Sequence, residues 1–280
     1  MSCTRREFLE ACGAVSLGVP LLSCTDSPPP SLVGPIRRLG RTDLDLTAVG
    51  FGSQRTDSAD LIRSALDQGV NHIETSPFYF KSDLIRRVIE GRRDSVHLFV
   101  AFFPLANVQG TDSYSQLLRR TFEETLRDLG TDHIDVFLWH GADEPEHIVD
   151  NEGVELMLRW RDEGKIRWCG ASFHSNQDRM LAQVADVDLY DVALVAFNQS
   201  SPHSHRRAVA EAARRGVGII AMKTQSPHYN DPERGTIGDA PDHREALAWV
   251  LGQEGITAAI PGMTTANQLA LNLRVMRGES

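Results

Sequence analysis

The sequence predicts an α/β fold made of eight consecutive strand–helix units. Short apolar runs alternate with amphipathic segments of helical period from about residue 36 to the C-terminus. Several runs, such as residues 98–102 and 218–222, are apolar without interruption, which is typical of parallel strands buried on both faces. Eight units in about 245 residues match the usual length of a (β/α)8 barrel, or TIM barrel.

The elements follow one another in a regular order. Residues 36–42 predict a small hairpin that closes the barrel floor. Strands are predicted at residues 46–52, 71–76, 96–102, 133–140, 166–173, 192–198, 217–223 and 257–263. Helices are predicted at residues 59–68, 82–90, 115–129, 154–162, 178–184, 206–215, 244–252 and 267–277. A doubly wound sheet would need a GxGxxG turn after its first strand, which residues 50–54 do not supply.

Composition excludes several classes of protein. The 280 residues hold 29 Lys+Arg and 38 Asp+Glu, a net charge of −9, so a nucleic acid is not the expected partner. No apolar run reaches the roughly 18 residues that a spanning helix needs, so a polytopic membrane protein is not expected. Three of the four cysteines lie within the first 24 residues, which excludes a disulfide scaffold.

The N-terminus resembles an export signal. Arg5 and Arg6, followed by Phe8 and Leu9, resemble a twin-arginine motif, and the uncharged residues that follow are too few to span a bilayer. The segment ends at Cys24 in a sequence that resembles a bacterial lipobox, where the cysteine is acylated. Cleavage without a lipid is the alternative.

These features predict three segments. Residues 1–24 form a twin-arginine signal, residues 25–35 a Pro-rich linker and residues 36–280 the barrel. The predicted location is the periplasm or cell envelope, with membrane contact only through a lipid on Cys24.

Candidate catalytic residues lie at the carboxyl ends of the predicted strands, where (β/α)8 barrels carry their chemistry. Glu74 and His140 are two ionisable groups there, and Tyr79 follows Glu74 by five residues. A carboxylate, a phenol and an imidazole around one mouth suit proton transfer to or from a carbonyl group. The alternative is that Tyr79 is an aromatic residue at the rim and His140 a hydrogen-bonded core residue. No metal site is predicted, because the first strand lacks a His-x-His pair and loop histidines are usually solvated.

Motifs along the whole predicted barrel resemble the aldo/keto reductase family. The resemblance implies a (β/α)8 barrel that binds NADP(H), or NAD(H), and reduces an aldehyde or ketone group of a small molecule. The matching segments are residues 38–42, 48–52, 69–79, 132–140, 164–172, 246–251 and 259–262.

The resemblance assigns roles to the catalytic candidates. Tyr79 takes the position of the family's proton-donating tyrosine, His140 that of the histidine that orients the carbonyl, and Glu74 that of the aspartate. The family's lysine, which lowers the pKa of the tyrosine, is replaced by Phe103. A phenol without that lysine has a pKa near ~10, so part of the ~10²–10⁴-fold gain from general acid catalysis is expected to be lost.

The resemblance also implies cofactor contacts. Ser172 matches a serine that holds the carboxamide, although Phe173 replaces the asparagine after it. Gln199, beside Asn198, matches a glutamine of the same site, and Met222 replaces the aromatic residue that stacks on the nicotinamide.

In the family's basic clasp around the 2′-phosphate of NADP(H), Gly262, Met263 and Gln268 replace the usual residues and only Asn272 is intact. The preference for NADP(H) should therefore weaken.

Lys223 is the one cation at the predicted strand ends. It could contact cofactor phosphates, replace the missing lysine or form a Schiff base. The alternative is an ion pair with Glu74 or Asp135.

Three functions remain open on these grounds. The first is an aldo/keto reductase-like oxidoreductase of the envelope, weakened by Phe103. The second is a barrel that has lost redox chemistry and binds a ligand or partner. The third is a lyase or isomerase that uses Glu74, His140 and Lys223.

Overall fold

The computed structural model describes residues 34–103, 114–149, 151–225 and 243–279. The chain divides into two units, residues 1–31 and residues 32–280, and every described residue belongs to the second. The predicted signal, with Cys24, and most of the predicted linker therefore lie outside the described residues. Within the described residues, no helix is both long and apolar enough to cross a membrane.

Eight parallel strands follow one another around the sheet in chain order. They are preceded by a hairpin of β1 (Ile36–Arg38) and β2 (Asp45–Thr47). The barrel strands are β3 (Phe51–Gly52), β4 (His72–Thr75), β5 (His97–Phe102), β6 (Ile134–His140), β7 (Ile166–Phe173), β8 (Val192–Ala196), β9 (Gly218–Met222) and β10 (Ile256–Ile260). The described α-helices are α1 (Ala59–Asp67), α2 (Ser82–Ile89), α3 (Tyr114–Leu129), α4 (Glu152–Asp162), α5 (Gln177–Asp186), α6 (His203–Arg214), α7 (His243–Leu251) and α8 (Ala266–Arg277).

Isolated β-bridges between the first and last strand–helix repeats close the barrel. Val49 pairs with Ala259 and Gly52 with Gly262, both in parallel orientation. A Cβ on Gly52 would lie 2.9 Å from the Ile260 side chain, so the close approach at this seam requires glycine. The predicted (β/α)8 barrel is confirmed.

The predicted first strand, residues 46–52, is divided between two structures. Its beginning pairs with β1 in the hairpin, and only Phe51–Gly52 forms a strand of the barrel. The predicted hairpin at residues 36–42 is correspondingly longer, because its return strand lies at Asp45–Thr47. The physical reason is burial: Leu39, Leu44 and Leu46 are fully buried in the barrel interior. The hairpin thus closes the floor, as predicted.

The barrel interior is a packed apolar core. Inward-facing residues of alternate positions fill it, among them Phe99 and Ala101 of β5 and Val136 and Leu138 of β6. A larger apolar layer lies between the strands and the surrounding helices. This packing leaves the carboxyl ends of the strands as the mouth, where the polar groups of the site gather.

Candidate active site

A short turn after β4 positions Tyr79. The Ser76 hydroxyl donates a hydrogen bond to the Ala101 carbonyl (2.6 Å) and accepts one from the Phe78 N–H (3.3 Å). Ser76 thereby joins the end of β4 to β5 and caps a single 3₁₀ turn, Pro77–Tyr79. The sequence did not predict this turn, although a Ser-Pro pair after a strand is a common start for one.

Glu74 and Tyr79 are in direct contact. The Tyr79 hydroxyl donates a hydrogen bond to Glu74 Oε1 at 3.2 Å. Glu74 is 7% exposed, and burial raises its pKa to about 7, although the hydrogen bond from Tyr79 acts in the opposite direction. Burial and the charge of Glu74 both raise the pKa of Tyr79. Near neutral pH, therefore, Tyr79 is a phenol and Glu74 is protonated in a large fraction of molecules.

Phe103 forms an apolar wall between His140 and Phe78, the residue before Tyr79. Its ring contacts Phe78 at 4.8 Å and His140 at 4.4 Å between centroids, both in edge-to-face geometry. The aromatic ring therefore occupies the space in which a lysine at this position would place a positive charge. The neutral environment of Glu74 follows, because its hydrogen-bond partner among the described residues is a phenol.

His140 ends β6 and faces a second histidine. Its Nε2 lies 3.3 Å from Nε2 of His174, which follows β7. Burial lowers the pKa of His140 to about 4, with further lowering by the charges of His174 and Lys223 and an opposing effect of Asp143. Burial and Lys223 also lower the pKa of His174. Both imidazoles are therefore neutral at pH 7.

The proposed carboxamide contacts have different environments. Ser172 is fully buried, and its hydroxyl has no hydrogen-bond partner among the residues that the structure describes. Asn198 donates to the Lys223 carbonyl (3.2 Å) and accepts from the Ser200 N–H (2.9 Å), so its amide holds two loops together. Gln199 is exposed and Met222 half-buried.

Lys223 lies at the end of β9 with φ of 53°, in the left-handed region that favours glycine. The acid suggested from sequence as its partner, Asp135, lies at the other end of the barrel and pairs with Arg93 and Arg167. Glu74 accepts from Tyr79. The charge of Lys223 instead acts on the two histidines of the mouth.

Gln268 and Asn272 belong to α8. Gln268 Oε1 accepts the backbone N–H groups of Thr264 (2.7 Å) and Thr265 (3.2 Å), which makes it part of a capping box. Asn272 is 1% exposed, and its Oδ1 accepts from Gln225 (2.9 Å). Its Nδ2 has no hydrogen-bond partner within the described residues.

Sequence reasoning missed three buried hydroxyl groups at the mouth. Ser53, Thr75 and Thr224 lie at or just after the ends of β3, β4 and β9, and each is at most 3% exposed. Like Ser172, they have no hydrogen-bond partner in the described ranges. Buried polar groups are rarely left unpaired, so Ser53 and Thr224 are candidates for ligand contact. Thr75 shares the face of β4 with Ile73, which packs toward the helices. The available signal was a small hydroxyl residue at the carboxyl end of an apolar strand.

The sequence places His174 just after the predicted strand 166–173, and the structure pairs it with His140. Across the described ranges, no group of three or more His, Cys, Asp or Glu side chains could hold a metal ion.

Two curated proteins are similar to this chain over different shares of their length. The chain is 23% identical over 278 residues to L-galactose dehydrogenase of Arabidopsis thaliana, a match that covers 85% of this chain and 86% of that protein. It is 24% identical to the uncharacterized oxidoreductase YqkF of Bacillus subtilis, but there it spans only 48% of the relative's length.

Solved structures share the fold. An aldo-keto reductase from Pseudomonas aeruginosa superposes with a TM-score of 0.71 at 23% identity and covers 89% of this chain and 96% of that one. An aldo/keto reductase from Klebsiella pneumoniae, solved in complex with NADP and acetate, gives a TM-score of 0.66 at 22% identity, covering 87% and 90%. The profile of the aldo/keto reductase family matches residues 46–226, more than half of the sequence, and this chain therefore belongs to the aldo/keto reductase family.

Proposed function

We propose that this chain reduces an aldehyde or ketone group of a small molecule with a nicotinamide cofactor. The observation that carries the proposal is the hydrogen bond from Tyr79 to Glu74, beside His140, at the carboxyl end of the barrel. Tyr79 and His140 occupy the positions of the family's proton donor and carbonyl-orienting residue. Glu74 differs from the family's aspartate, and its extra methylene group lets the carboxyl group meet the phenol directly.

The chemistry of the unpaired groups fits a nicotinamide nucleotide. Ser172 Oγ, Thr224 Oγ1 and Asn272 Nδ2 are buried and have no hydrogen-bond partner among the described residues. They offer donors and acceptors of the kind that an amide, a ribose or a phosphate requires. The Klebsiella structure, described with NADP, supports this class of cofactor. When bound, the nicotinamide supplies the hydride.

The phosphate end of the site supports a weaker preference for NADP(H). Gln268 takes the place of a basic residue and is engaged in the capping box of α8. Lys223, Met222 and Gln199 remain candidates for cofactor contact, whereas the Asn198 amide bonds within the chain. Because a charged partner strengthens a phosphate contact, its absence at position 268 favours use of NADH as well as NADPH.

The chain's own residues supply the proton. In the proposed reaction, Tyr79 transfers its phenolic proton to the carbonyl oxygen, and the oxygen becomes the product hydroxyl group. Protonated Glu74 then returns a proton to the Tyr79 oxygen, and solvent restores the proton of Glu74. His140 orients the carbonyl by donating from Nε2. Because the pKa of Tyr79 is raised, Tyr79 is a weaker general acid than an ordinary phenol, and turnover should be slow.

A nucleotide titration tests the proposal. Protein fluorescence should saturate with NADH and NADPH in the micromolar range, with little difference between the two. Replacement Tyr79→Phe should abolish reduction of an aldehyde panel, a loss of about 10²-fold or more, while leaving nucleotide binding intact. Tyr190→Phe is the matched control, since Tyr190 is a buried tyrosine whose hydroxyl bonds to Ile148 away from the mouth. Unchanged turnover in Tyr79→Phe would reject the role of Tyr79.

A barrel without redox chemistry is the second candidate. Phe103 in place of the lysine, the buried Phe173 and the missing basic clasp favour it. No binding of either nucleotide up to millimolar concentration would reject the reductase and support this candidate. A product formed without any nicotinamide would instead support a lyase or isomerase built on Glu74, His140 and Lys223.

We also propose that the protein is exported. The paired Arg5 and Arg6 and the lipobox-like sequence ending at Cys24 support a twin-arginine signal over residues 1–24, followed by the linker 25–35 and the barrel 36–280. Cell fractionation with the Arg5→Lys, Arg6→Lys double variant tests this. Retention of the variant in the cytoplasm is expected, and unchanged envelope location would contradict it.

A further inference from the structure

His174 has a rigid backbone at the mouth of the barrel. Asp143, just after β6, accepts at Oδ1 the backbone N–H groups of His174 (2.7 Å) and Ser175 (2.9 Å). Asn176 in turn donates its amide to the Asp143 carbonyl at 3.0 Å. The loop after β7 is thereby tied to the loop after β6, so the His174 imidazole is held facing His140.

The two imidazoles share one proton in the absence of a ligand. Their Nε2 atoms are 3.3 Å apart, which leaves room for one N–H between them. His140 Nδ1 is buried with no hydrogen-bond partner among the described residues. A proton on Nδ1 would be a buried N–H group without an acceptor, which is costly. His140 therefore carries its proton on Nε2. His140 is then the donor and His174 the acceptor.

A substrate oxygen changes this arrangement. In the proposed reaction the carbonyl oxygen has two lone pairs, and it accepts from Tyr79 and His140. Once the His140 N–H points to the substrate, His174 no longer accepts from it. His174 can then take the tautomer that carries its proton on Nε2, and this new donor has no acceptor left on the carbonyl oxygen. Two oxygen atoms on neighbouring carbons can lie about as far apart as the Nε2 atoms of His140 and His174. When His140 binds the carbonyl oxygen, His174 Nε2 can therefore reach an oxygen on the adjacent carbon.

Charge decides which oxygen fits best. At His174 the charge of Lys223 has a larger effect than that of Asp143, whereas at His140 the order is reversed, so the positive charge acts mainly on the His174 side of the mouth. The nearby carboxylate of Asp143 is directed to backbone N–H groups. A negatively charged oxygen next to the carbonyl is favoured over a hydroxyl group in this field.

We propose that His174 is a specificity-determining residue that donates a hydrogen bond to an oxygen on the carbon next to the reacting carbonyl, so that 2-oxo acids are preferred over simple ketones. The inference rests on the proposed reductase function. In this proposal His174, which is outside the family's catalytic set, recognises a second oxygen atom of the substrate.

Three ketones that differ in one substituent test the proposal on the full chain. Pyruvate carries a carboxylate next to the carbonyl, hydroxyacetone a hydroxymethyl group, and acetone only a methyl group. We expect kcat/KM to fall in that order. His174→Phe should lower kcat/KM for pyruvate about 10- to 100-fold, the range for loss of a hydrogen bond to a charged group, and leave acetone nearly unchanged. His133→Phe, at the opposite end of β6, is the matched control.

The outcomes separate the inference from the function on which it rests. An equal loss for all three ketones in His174→Phe would mean that His174 acts only through His140, and would overturn the proposal. So would equal kcat/KM values in the unaltered protein. His174→Gln, which keeps a donor, should recover part of the pyruvate preference, and this variant covers the case in which His174→Phe fails to fold.

A binding experiment completes the test. Pyruvate is titrated into the full chain with ¹⁵N-labelled histidine, and the His174 imidazole signals are followed. Saturable shifts at His174 without any turnover would support the recognition of the second oxygen and reject the reductase. Turnover of all three ketones without such shifts would reject the recognition and retain the reductase.

Discussion

Two buried carboxyl groups at opposite ends of one barrel hold opposite protonation states. Asp135, near the start of β6, is 2% exposed, and Glu74, near the end of β4, is 7% exposed. Burial alone raises the pKa of a carboxyl group in either place. The outcome nevertheless differs, because the two groups have different partners.

Asp135 is surrounded by donors. Burial opposes its ionisation, but hydrogen bonds from His97, the Leu98 N–H and Arg167, with the charge of Arg93, outweigh burial and hold its pKa well below the ordinary value. Arg167 Nη1 and Arg93 Nη2 lie 2.8 and 3.0 Å from its oxygens. Glu74 has only the phenol of Tyr79 as a described side-chain hydrogen-bond partner, and its pKa rises to about 7.

In this barrel, the presence or absence of nearby cations decides whether a buried carboxyl group stays ionised or can exchange a proton near neutral pH. Guanidinium groups at the floor fix a permanent anion that links β5, β6 and β7. An aromatic ring at position 103 of the mouth leaves a carboxyl group that can gain and lose a proton near neutral pH. A group of that kind is suited to proton transfer.

The largest expected effect is at the floor. Asp135→Asn leaves two guanidinium groups facing a neutral amide, and breaking a buried ion pair typically costs about 3–5 kcal/mol. Urea denaturation should show this loss in the free energy of unfolding. Asp132→Asn, at a carboxylate whose side chain is 96% exposed, is the control and should change little. A loss as small as that of the control would remove the distinction between floor and mouth.

The next effect is a gain in stability at the mouth. The pKa of Glu74 is raised from 4.5 to about 7 on folding, so the folded state binds more protons between these values and stability falls as the pH rises through them. Glu74→Gln lacks this penalty and should be more stable than the unaltered protein by about 3 kcal/mol at about pH 8, and nearly equal at about pH 4.

The measurement is urea denaturation at both pH values. Glu90→Gln, at an exposed position after α2, serves as control. A pH-independent difference between Glu74→Gln and the unaltered protein would show that folding does not raise the pKa of Glu74.

The smallest expected effect is a lower pKa of Glu74 when a cation is placed at the mouth, as cations are placed around Asp135 at the floor. Phe103→Lys introduces an ammonium group near Tyr79 and Glu74, and an opposite charge at close range lowers a carboxyl pKa by about 1–3 units. A carbon NMR titration of the Glu74 carboxyl group reads this directly. Phe103→Leu, at the same position, controls for loss of the aromatic ring without adding a charge. If the reductase proposal holds, Phe103→Lys should also speed turnover, whereas a barrel without a cofactor site would gain none.

The sequence predicts the fold well because the strands carry their own signals. Uninterrupted apolar runs and glycines after helices, such as Gly69 and Gly164 with φ of 97° and 74°, depend on local chemistry alone. The first strand was the exception. Leu46 is as apolar as a barrel strand residue, and only the tertiary structure reveals that it belongs to the floor hairpin.

The site was predictable in part. The five-residue spacing indicated that Tyr79 and Glu74 share the mouth, but the turn that brings Tyr79 back onto Glu74 was not predicted. Protonation was not predictable, because it depends on what position 103 places nearby in space. The capping role of Gln268 could have been predicted, since Thr265-x-x-Gln268 is the sequence signature of a capping box. The His140–His174 contact joins two strands and has no local signal.

The seam beside β3 has a kinetic consequence. β3 has only two residues, and its contact with the last unit rests on isolated bridges at Val49 and Gly52. Segments with few hydrogen bonds open locally at low free-energy cost. A Cβ on Gly52 would lie 3.9 Å from Glu74 Oε2, so the buried oxygen faces this seam. If the reductase proposal holds, we expect local opening of this seam to limit how quickly water can return a proton to Glu74 between turnovers.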